Sequence, residues 1–153
     1  MFIKRLSVND LYLLNNLFSY NDLDEMIHNN TKKIRTGDID IFGLFSHKEL
    51  IGEIRVMYTH ADKRFAWKGK RAYLYAFRIH KDFQGMGLGK LLLRSVIDSL
   101  YDKGYSEMTV GVEDDNERAK YIYKSFGFDK IIARVQEEYQ GEKYEYNLYL
   151  NSR

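Results

Sequence analysis

The sequence predicts a single-domain α/β fold over residues 1–153, with a mixed sheet of about seven strands flanked by about four helices. Short β-rich segments occur in pairs around polar turns, which is typical of antiparallel hairpins. Later in the chain, strands alternate with amphipathic helices, which is typical of parallel crossover connections. The predicted order is β-α-α-β-β-β-α-β-α-β-β. It gives a sheet that is antiparallel at its ends and parallel in its middle.

The first predicted elements are a strand and two helical segments. Residues 2–6 form a short β-rich run, and the Ser7 and Asp10 that follow have the spacing of a capping box. Leucines at helical spacing come next, so we expect a helix there. The polar stretch 21–37 contains few apolar residues and predicts one short helix plus a loop.

A strand period begins at residue 39. The runs 39–45 and 50–58 flank a polar turn and predict a hairpin. The strand at 72–80 is apolar on both faces, which predicts a central position covered on both sides. The segment 59–71 is rich in Lys and Arg and predicts a solvated loop, with attraction of an anionic ligand as the alternative.

The second half of the chain predicts helix, strand, helix and hairpin. An apolar stripe at helical spacing follows Gly89, and Gly104 lies where a helix-terminating glycine is expected. After a strand at 108–112, the pair Asp114 and Asp115 can cap a further helix. The last two predicted strands, which flank a glycine turn, are 128–138 and 143–150.

Composition excludes several classes of protein. Hydrophobic residues make up 44% and charged residues 30% of the chain, as in globular domains rather than disordered or membrane-spanning ones. The absence of cysteine excludes disulfides, thiolate metal sites and a cysteine nucleophile. The net charge of +2 gives no support for a nucleic-acid partner. No apolar run has the length of a membrane span or a secretory signal, so we expect a cytoplasmic protein without membrane contact.

A glycine-rich loop lies between the strand at 72–80 and the strongest predicted helix. Alternating glycines let the backbone approach a ligand and point several N–H groups at it, and the helix start adds further donors. A phosphate or diphosphate is the expected ligand, and a tight turn that binds nothing is the alternative. The loop lacks the spacing of a Walker A motif or a dinucleotide fingerprint. Its residues are Gln84, Gly85, Met86, Gly87, Leu88, Gly89 and Lys90.

Two motifs resemble those of the GNAT superfamily of acyl-CoA-dependent N-acetyltransferases. Gln84-x-x-Gly87-x-Gly89 is similar to the family's Q/R-x-x-G-x-G/A loop, which holds the diphosphate of coenzyme A. The segment Asn116–Phe128 is similar to its N-x-x-A-x-x-L/I-Y-x-K/R-x-G-F signature. The resemblance implies acetyl-CoA as co-substrate, no metal, and acetyl transfer to a primary amine of a small molecule or peptide. A non-catalytic acyl-CoA-binding or regulatory module on the same fold is the alternative.

The resemblance also assigns roles to residues. Tyr123 corresponds to the acid that protonates the departing CoA thiolate, although packing between helix and sheet would also explain a tyrosine there. Asn116 would contact the pantetheine arm or simply begin its helix. In the family a β-bulge near the end of the central strand opens a slot for the cofactor. The backbone stretch that would pair with pantetheine and the acetyl carbonyl is Phe77, Arg78 and Ile79.

The loop departs from the family pattern in one position, and two further questions stay open. Gln84 replaces the commoner Arg, so a cation next to the diphosphate is lost; Lys90 could compensate or be a solvated lysine. Candidates for a general base acting through water are Glu53, Glu113 and His80. The residues that select the amine acceptor are expected in the region 20–37 and in the last hairpin. Dimerisation through the final strands is possible.

Overall fold

Seven strands form one continuous sheet in the computed structural model, which describes residues 1–152. The strands are β1 (Phe2–Arg5), β2 (Ile39–Ser46), β3 (Glu49–Met57), β4 (Arg71–Ile79), β5 (Glu107–Val112), β6 (Lys130–Tyr139) and β7 (Glu142–Ser152). The α-helices are α1 (Leu23–Arg35), α2 (Leu88–Asp102) and α3 (Glu117–Ser125), and the 3₁₀ helices are Val8–Asn16 and Lys81–Phe83. The mixed sheet and flanking helices confirm the predicted fold class.

The order of strands across the sheet is β1-β2-β3-β4-β5-β7-β6. Only β4 and β5 pair in parallel, and every other pairing between these strands is antiparallel. The prediction of an antiparallel sheet with a parallel centre is therefore confirmed. The parallel pair needs a crossover, and α2 provides it between the end of β4 and the start of β5. The glycine loop lies at the beginning of that crossover.

Helices cover the two faces of the sheet at different places. On one face, α2 packs the buried side chains of Leu92, Leu93 and Val96 against β3, β4 and β5. On the other face, Leu11 and Leu14 of the first 3₁₀ helix pack with α1 against β2. Burying a leucine contributes about 1.5–3 kcal/mol, so these apolar faces fix the helices on the sheet. Beyond α1, the second face carries a row of tyrosines on β4.

Local sequence signals set one helix start and one helix end as predicted. Ser7 donates its backbone N–H and its hydroxyl to the Asp10 carboxylate, both at 3.0 Å, at the start of the first 3₁₀ helix. At the end of α2, Gly104 has a φ of +94° and lets the Tyr105 N–H reach the Leu100 carbonyl at 3.0 Å. This backbone conformation is strained for residues with a side chain, which explains a glycine at this position.

Two predictions for the region before residue 38 were wrong in detail. The first helix is a 3₁₀ helix, because its buried leucines and Leu17 recur at every third residue, the period of that helix. The second helical segment is a full α-helix of 13 residues rather than a short helix with a loop. Its apolar stripe is interrupted by Asn30, which is buried and donates its side-chain N–H to the Met26 carbonyl at 2.9 Å.

The caps of α3 and the basic segment also differ from the predictions. Asn116, rather than Asp114 or Asp115, caps α3, because its side-chain oxygen accepts the Ala119 N–H at 3.1 Å. The segment 59–71 is not fully solvated: Phe65 is 4% exposed and packs under the sheet. Burial of part of this loop follows from contacts with β7 that are distant in sequence.

Arg71 anchors the basic segment to β5. Its Nε and Nη2 donate to the Glu107 carboxylate at 3.0 and 2.6 Å. Its Nη1 donates to the backbone carbonyls of Lys63 and Arg64 at 3.3 and 3.2 Å. Burial raises the pKa of Glu107, but Arg71 and Lys70 outweigh it, and the pKa lies below its usual value. The Arg71 cation is therefore engaged within the fold.

Replacing Glu107 by Gln should lower the free energy of unfolding at pH 7 by about 1–3 kcal/mol, since a charged, partly buried hydrogen bond is lost. A carboxylate with a lowered pKa stabilises the fold above its unfolded-state pKa, and this contribution is lost as the pH falls through the folded-state pKa. The difference between wild type and variant in urea unfolding should therefore shrink below about pH 4. A difference that stays constant from neutral to acidic pH would contradict this role of the charge.

Candidate active site

The centre of the site is a β-bulge in β4. Glu53 pairs with Arg78 and Arg55 pairs with Tyr75, so two residues of β4 lie opposite the single residue Ile54 of β3. Ala76 lies in this bulge with a φ of +50°, a conformation that L-residues rarely adopt. A bulge bends its strand and re-aims the side chains next to it.

Beyond the bulge, β4 separates from its parallel neighbour. The pairing of β4 with β5 ends at Leu74 and Val110, although β4 continues to Ile79. A slot therefore opens between the two strands, with a cavity volume of about 590 Å³. Gly111 of β5 and Tyr123 of α3 are part of its wall. On the side that faces this slot, the backbone of β4 beyond Leu74 has no paired strand.

The glycine loop forms a second cavity of about 480 Å³ next to the slot. Gly85 and Gly87 have φ values of +79° and +78°, and a Cβ atom built on either would meet no atom within 4 Å. Both glycines therefore leave open space in front of the N-terminus of α2. Free N–H groups and the helix dipole at this end favour an anion. A Cβ on Gly89 would lie 3.3 Å from the Phe77 ring, so this glycine permits close packing of helix and strand.

The two cavities form one channel, because four residues line both of them. They are Phe77, Gln84, Arg118 and Ile122. The channel leads from the glycine loop, between β4 and α3, to Tyr123 in the slot. One end of the channel, at the glycine loop, favours an anion, and the middle of the channel is apolar.

Tyr123 packs inside the channel rather than on the surface. Its ring centroid lies 6.4 Å from that of Phe77 and 5.6 Å from that of Phe128. Burial, with a smaller contribution from Tyr73, raises the pKa of Tyr123 above the ordinary value of a phenol. The hydroxyl is therefore protonated at neutral pH and is able to donate to a thiolate.

The structure places most of the predicted site residues around this channel. Asn116 lines the slot and also caps α3, so its two predicted interpretations are compatible. The Gln84 side chain donates to the Ile79 carbonyl at 2.9 Å and fixes the loop to the end of β4. Met86 is 61% exposed and lies outside both cavity walls, and so does Arg78, whose side chain points to the tyrosine-bearing face. The predicted residues that line the channel are Phe77, Ile79, Gln84, Gly85, Gly87, Leu88, Gly89, Lys90, Asn116 and Tyr123.

Sequence reasoning missed a cation in the channel wall. Arg118 lines both cavities, and Tyr121, which is 71% exposed, lines the cavity at the glycine loop. Arg118 brings a positive charge to the end of the channel where Gln84 lacks one. Its signal in the sequence was its place inside the second motif, two residues after Asn116, at a position that the motif leaves free.

The three candidate bases occupy different environments. Glu53 is fully buried on β3, next to Arg55. Glu113 is exposed after β5, and the His80 Nδ1 accepts the Asp82 N–H at 3.2 Å.

Among residues 1–152, no group of three or more His, Cys, Asp or Glu side chains has the arrangement of a metal site. None of the helices described is both long and apolar enough to cross a bilayer.

A protein-family profile described as the acetyltransferase (GNAT) family matches residues 7–128. This match covers most of the chain and includes both motifs. The chain belongs to the GNAT acetyltransferase family. The resemblance implied a β-bulge near the end of the central strand, and the structure has one in β4.

Individual relatives agree with this family. The chain is 34% identical to a thialysine N-epsilon-acetyltransferase from Bos taurus over 61 residues. This matched stretch is 40% of this chain and 36% of the relative. The chain is 40% identical to the L-amino acid N-acyltransferase MnaT of Escherichia coli over 50 residues. This stretch is 33% of this chain and 29% of the relative. The matches thus span about a third of the length of these relatives.

Solved structures share the whole fold. A ribosomal-protein-alanine N-acetyltransferase from Brucella melitensis superposes with a TM-score of 0.80 over 100% of both chains, at 14% sequence identity. A putative acetyltransferase from Salmonella typhimurium, solved with its cofactor acetyl-CoA, superposes with a TM-score of 0.71 over 99% of this chain and 93% of its own, at 17% identity. At these identities the comparison establishes the fold.

Replacing Gly87 by Ala should weaken binding of acetyl-CoA by about tenfold in calorimetry. A left-handed backbone costs an alanine about 1–2 kcal/mol, and the methyl group would project into the open space before α2. The matched control is Gly69→Ala, which has a φ of +84°, equally open surroundings and no place in either cavity. The control should lose similar stability and keep its affinity. Equal affinities for the two variants would contradict an anion-binding role of the loop.

Proposed function

We propose that this protein is an N-acetyltransferase that transfers the acetyl group of acetyl-CoA to a primary amine of a small molecule or peptide. The observation that carries the proposal is the continuous channel from the glycine loop to Tyr123, opened by the bulge in β4. The channel has the parts that an elongated thioester with a diphosphate needs. Membership of the GNAT family supports the same activity.

In the proposed complex, the diphosphate of acetyl-CoA lies against the N–H groups that follow Gln84, at the positive end of α2. Arg118 and Lys90 in the same wall would add charge. The pantetheine arm, which carries two amide groups, would extend along the slot and pair with the backbone of β4 beyond Leu74. Beyond Leu74, β4 has no paired strand on its β5 side, so backbone groups on that side can pair with a ligand, apart from the Ile79 carbonyl, which accepts from Gln84.

The reaction would proceed by direct attack in a ternary complex. A chain without cysteine has no thiol to form a cysteinyl acyl-enzyme, and holding amine and thioester together lowers the entropic cost of attack. The neutral amine adds to the thioester carbonyl, and the C–S bond breaks as the tetrahedral intermediate collapses. Tyr123 then donates its proton to the departing thiolate, since burial keeps the phenol protonated.

The amine would enter from the face opposite α2, where the tyrosines of β4 lie. Tyr73 and Tyr75 are stacked, with ring centroids 5.6 Å apart, and both line the slot. The last hairpin borders this face through Tyr146, which donates to the Glu137 carboxylate at 2.6 Å. In the region 20–37, where residues that select the acceptor are expected, Asp22 serves as the N-cap of α1 and accepts the Glu25 N–H at 2.9 Å.

Calorimetry with acetyl-CoA, followed by a thiol-release assay over a panel of amines, tests the proposal. We expect saturable binding and release of CoA that depends on an amine. Binding without transfer to any amine would favour a non-catalytic acyl-CoA-binding module on the same fold. Failure to bind acetyl-CoA would contradict both functions.

Replacing Tyr123 by Phe should lower turnover by about 10²-fold or more, because a positioned acid contributes 10²–10⁴-fold. The affinity for acetyl-CoA should change little, since the ring and its packing on Phe128 are kept. Tyr12→Phe, at an exposed tyrosine that lines neither cavity, is the matched comparison and should retain turnover. A Tyr123→Phe enzyme that loses affinity and turnover in parallel would show a packing role instead.

A further inference from the structure

On the face opposite α2, the wall of the slot is continuous with the last hairpin. Tyr73 of β4 and Gly111 of β5 line the slot. A Cβ atom built on Gly111 would lie 2.7 Å from the Tyr146 ring of β7, so this ring covers the glycine. Tyr73 also packs against the apolar cluster that contains Tyr146. The Tyr146 ring therefore lies directly behind the wall of the slot.

Tyr146 is at the same time part of the wall of a separate cavity of about 500 Å³ at the last hairpin, which we call the hairpin cavity. Its wall combines aromatic rings with carboxylates, and no Lys, Arg or His of the described chain belongs to it. Tyr146 thus connects the slot with the hairpin cavity. The other residues of the wall are Glu113, Glu137, Glu138, Tyr139 and Tyr144.

Glu137 is fixed at this connection. The Tyr146 hydroxyl donates to its Oε1 at 2.6 Å. A carboxylate has about four lone-pair sites, so Glu137 can accept further hydrogen bonds from a ligand. Burial, together with the negative charge of Glu137, raises the pKa of Tyr73 to about 12. The field of this carboxylate therefore extends to a residue that lines the slot.

The carboxylates of the hairpin cavity lack the counter-ions that their neighbours have. Outside the cavity, Arg134 forms ion pairs with Asp114 at 2.9 Å and with Glu145 at 3.0 Å. Lys143 is the register partner of Glu138 but lies outside the cavity wall. In the part of the chain that the structure describes, no cation lies within 4.0 Å of a carboxylate of this wall. Unpaired negative charges beside aromatic rings favour a cationic ligand.

The border of this face at β3 has the opposite charge. Arg55 lies opposite Tyr75 in the pairing of β3 with β4, and it forms an ion pair with Glu53 at 2.7 Å. The Arg78 Nη1 lies 3.9 Å from the other oxygen of the same carboxylate. Two guanidinium groups thus share one counter-ion. A positive charge on an acceptor is repelled from β3 and attracted to the hairpin.

We propose that the acceptor is an amine with a second ammonium group, and that Glu137 in the hairpin cavity binds this second group. The inference rests on the proposed acetyl transfer and names its class of substrate. The reacting amine lies in the slot, and the carbon chain passes the Tyr146 ring. The second ammonium group has three donors, of which one reaches Glu137, while the aromatic rings of the cavity attract its charge.

Three acceptors with the same carbon chain separate the effect of charge from that of size. Cadaverine carries a second ammonium group, pentylamine carries none, and δ-aminovalerate carries a carboxylate instead. In a thiol-release assay, kcat/KM should fall in this order. After correction for its two equivalent amino groups, cadaverine should exceed pentylamine by about fivefold or more. Added salt should reduce this preference, because exposed charges are screened.

The variant Glu137→Gln tests the residue. It keeps an oxygen for the Tyr146 hydroxyl but loses the charge, so the preference for cadaverine over pentylamine should fall by about fivefold. The rate with pentylamine should stay close to that of the wild type. Glu145→Gln is the matched control, because it makes the same charge change on the same hairpin at a carboxylate that Arg134 already pairs. This control should keep the preference of the wild type.

The outcomes separate the inference from the proposed function. A wild type that binds no acetyl-CoA, or releases no CoA with any amine, contradicts acetyl transfer and the inference with it. An active wild type that does not prefer cadaverine overturns the class of substrate only. A preference that persists in Glu137→Gln, or is lost equally in Glu145→Gln, overturns the role of Glu137. The series on the wild type decides the class of substrate even if a variant fails to fold.

Discussion

The site depends on one extra residue in β4. Because two residues of β4 face Ile54 of β3, the strand bends at Ala76 and its parallel pairing with β5 ends at Leu74. A regular strand would continue that pairing and fill the slot with its own hydrogen bonds. The bulge exchanges those bonds for an open groove whose polar backbone can bind an extended ligand. The positive φ of Ala76 is a local strain that the rest of the sheet maintains.

Around the bulge, the two faces of the sheet have different chemical environments. On the α2 face, the glycine loop and Arg118 favour an anion, and the interior of the channel keeps Tyr123 protonated. On the opposite face, Glu53 and Arg78 lie beside the tyrosines of β4. A cofactor bound from one side and an amine bound from the other would meet at the slot, where the strands no longer pair.

The sequence was sufficient to predict those features of the fold whose physical cause is local. The capping box at Ser7, the glycine that ends α2, and the alternation of strands and helices all depend on neighbouring residues, and the structure confirms them. The bulge was beyond prediction from these residues, because alanine has no preference for a positive φ and the register is set by strand pairing. The burial of Glu53 likewise results from Arg78 and the segment before α1, which are distant in sequence. Arg118 was missed because its motif position accepts any residue.

A crystal structure of the protein with acetyl-CoA would test the central claim most directly. We predict that the diphosphate contacts the N–H groups after Gln84 and that the pantetheine amides pair with the β4 backbone beyond Leu74. The thioester sulfur should lie within hydrogen-bond distance of the Tyr123 hydroxyl, at about 3–3.5 Å. A cofactor bound outside the slot, or β4 and β5 paired along their full length with the cofactor present, would contradict the account.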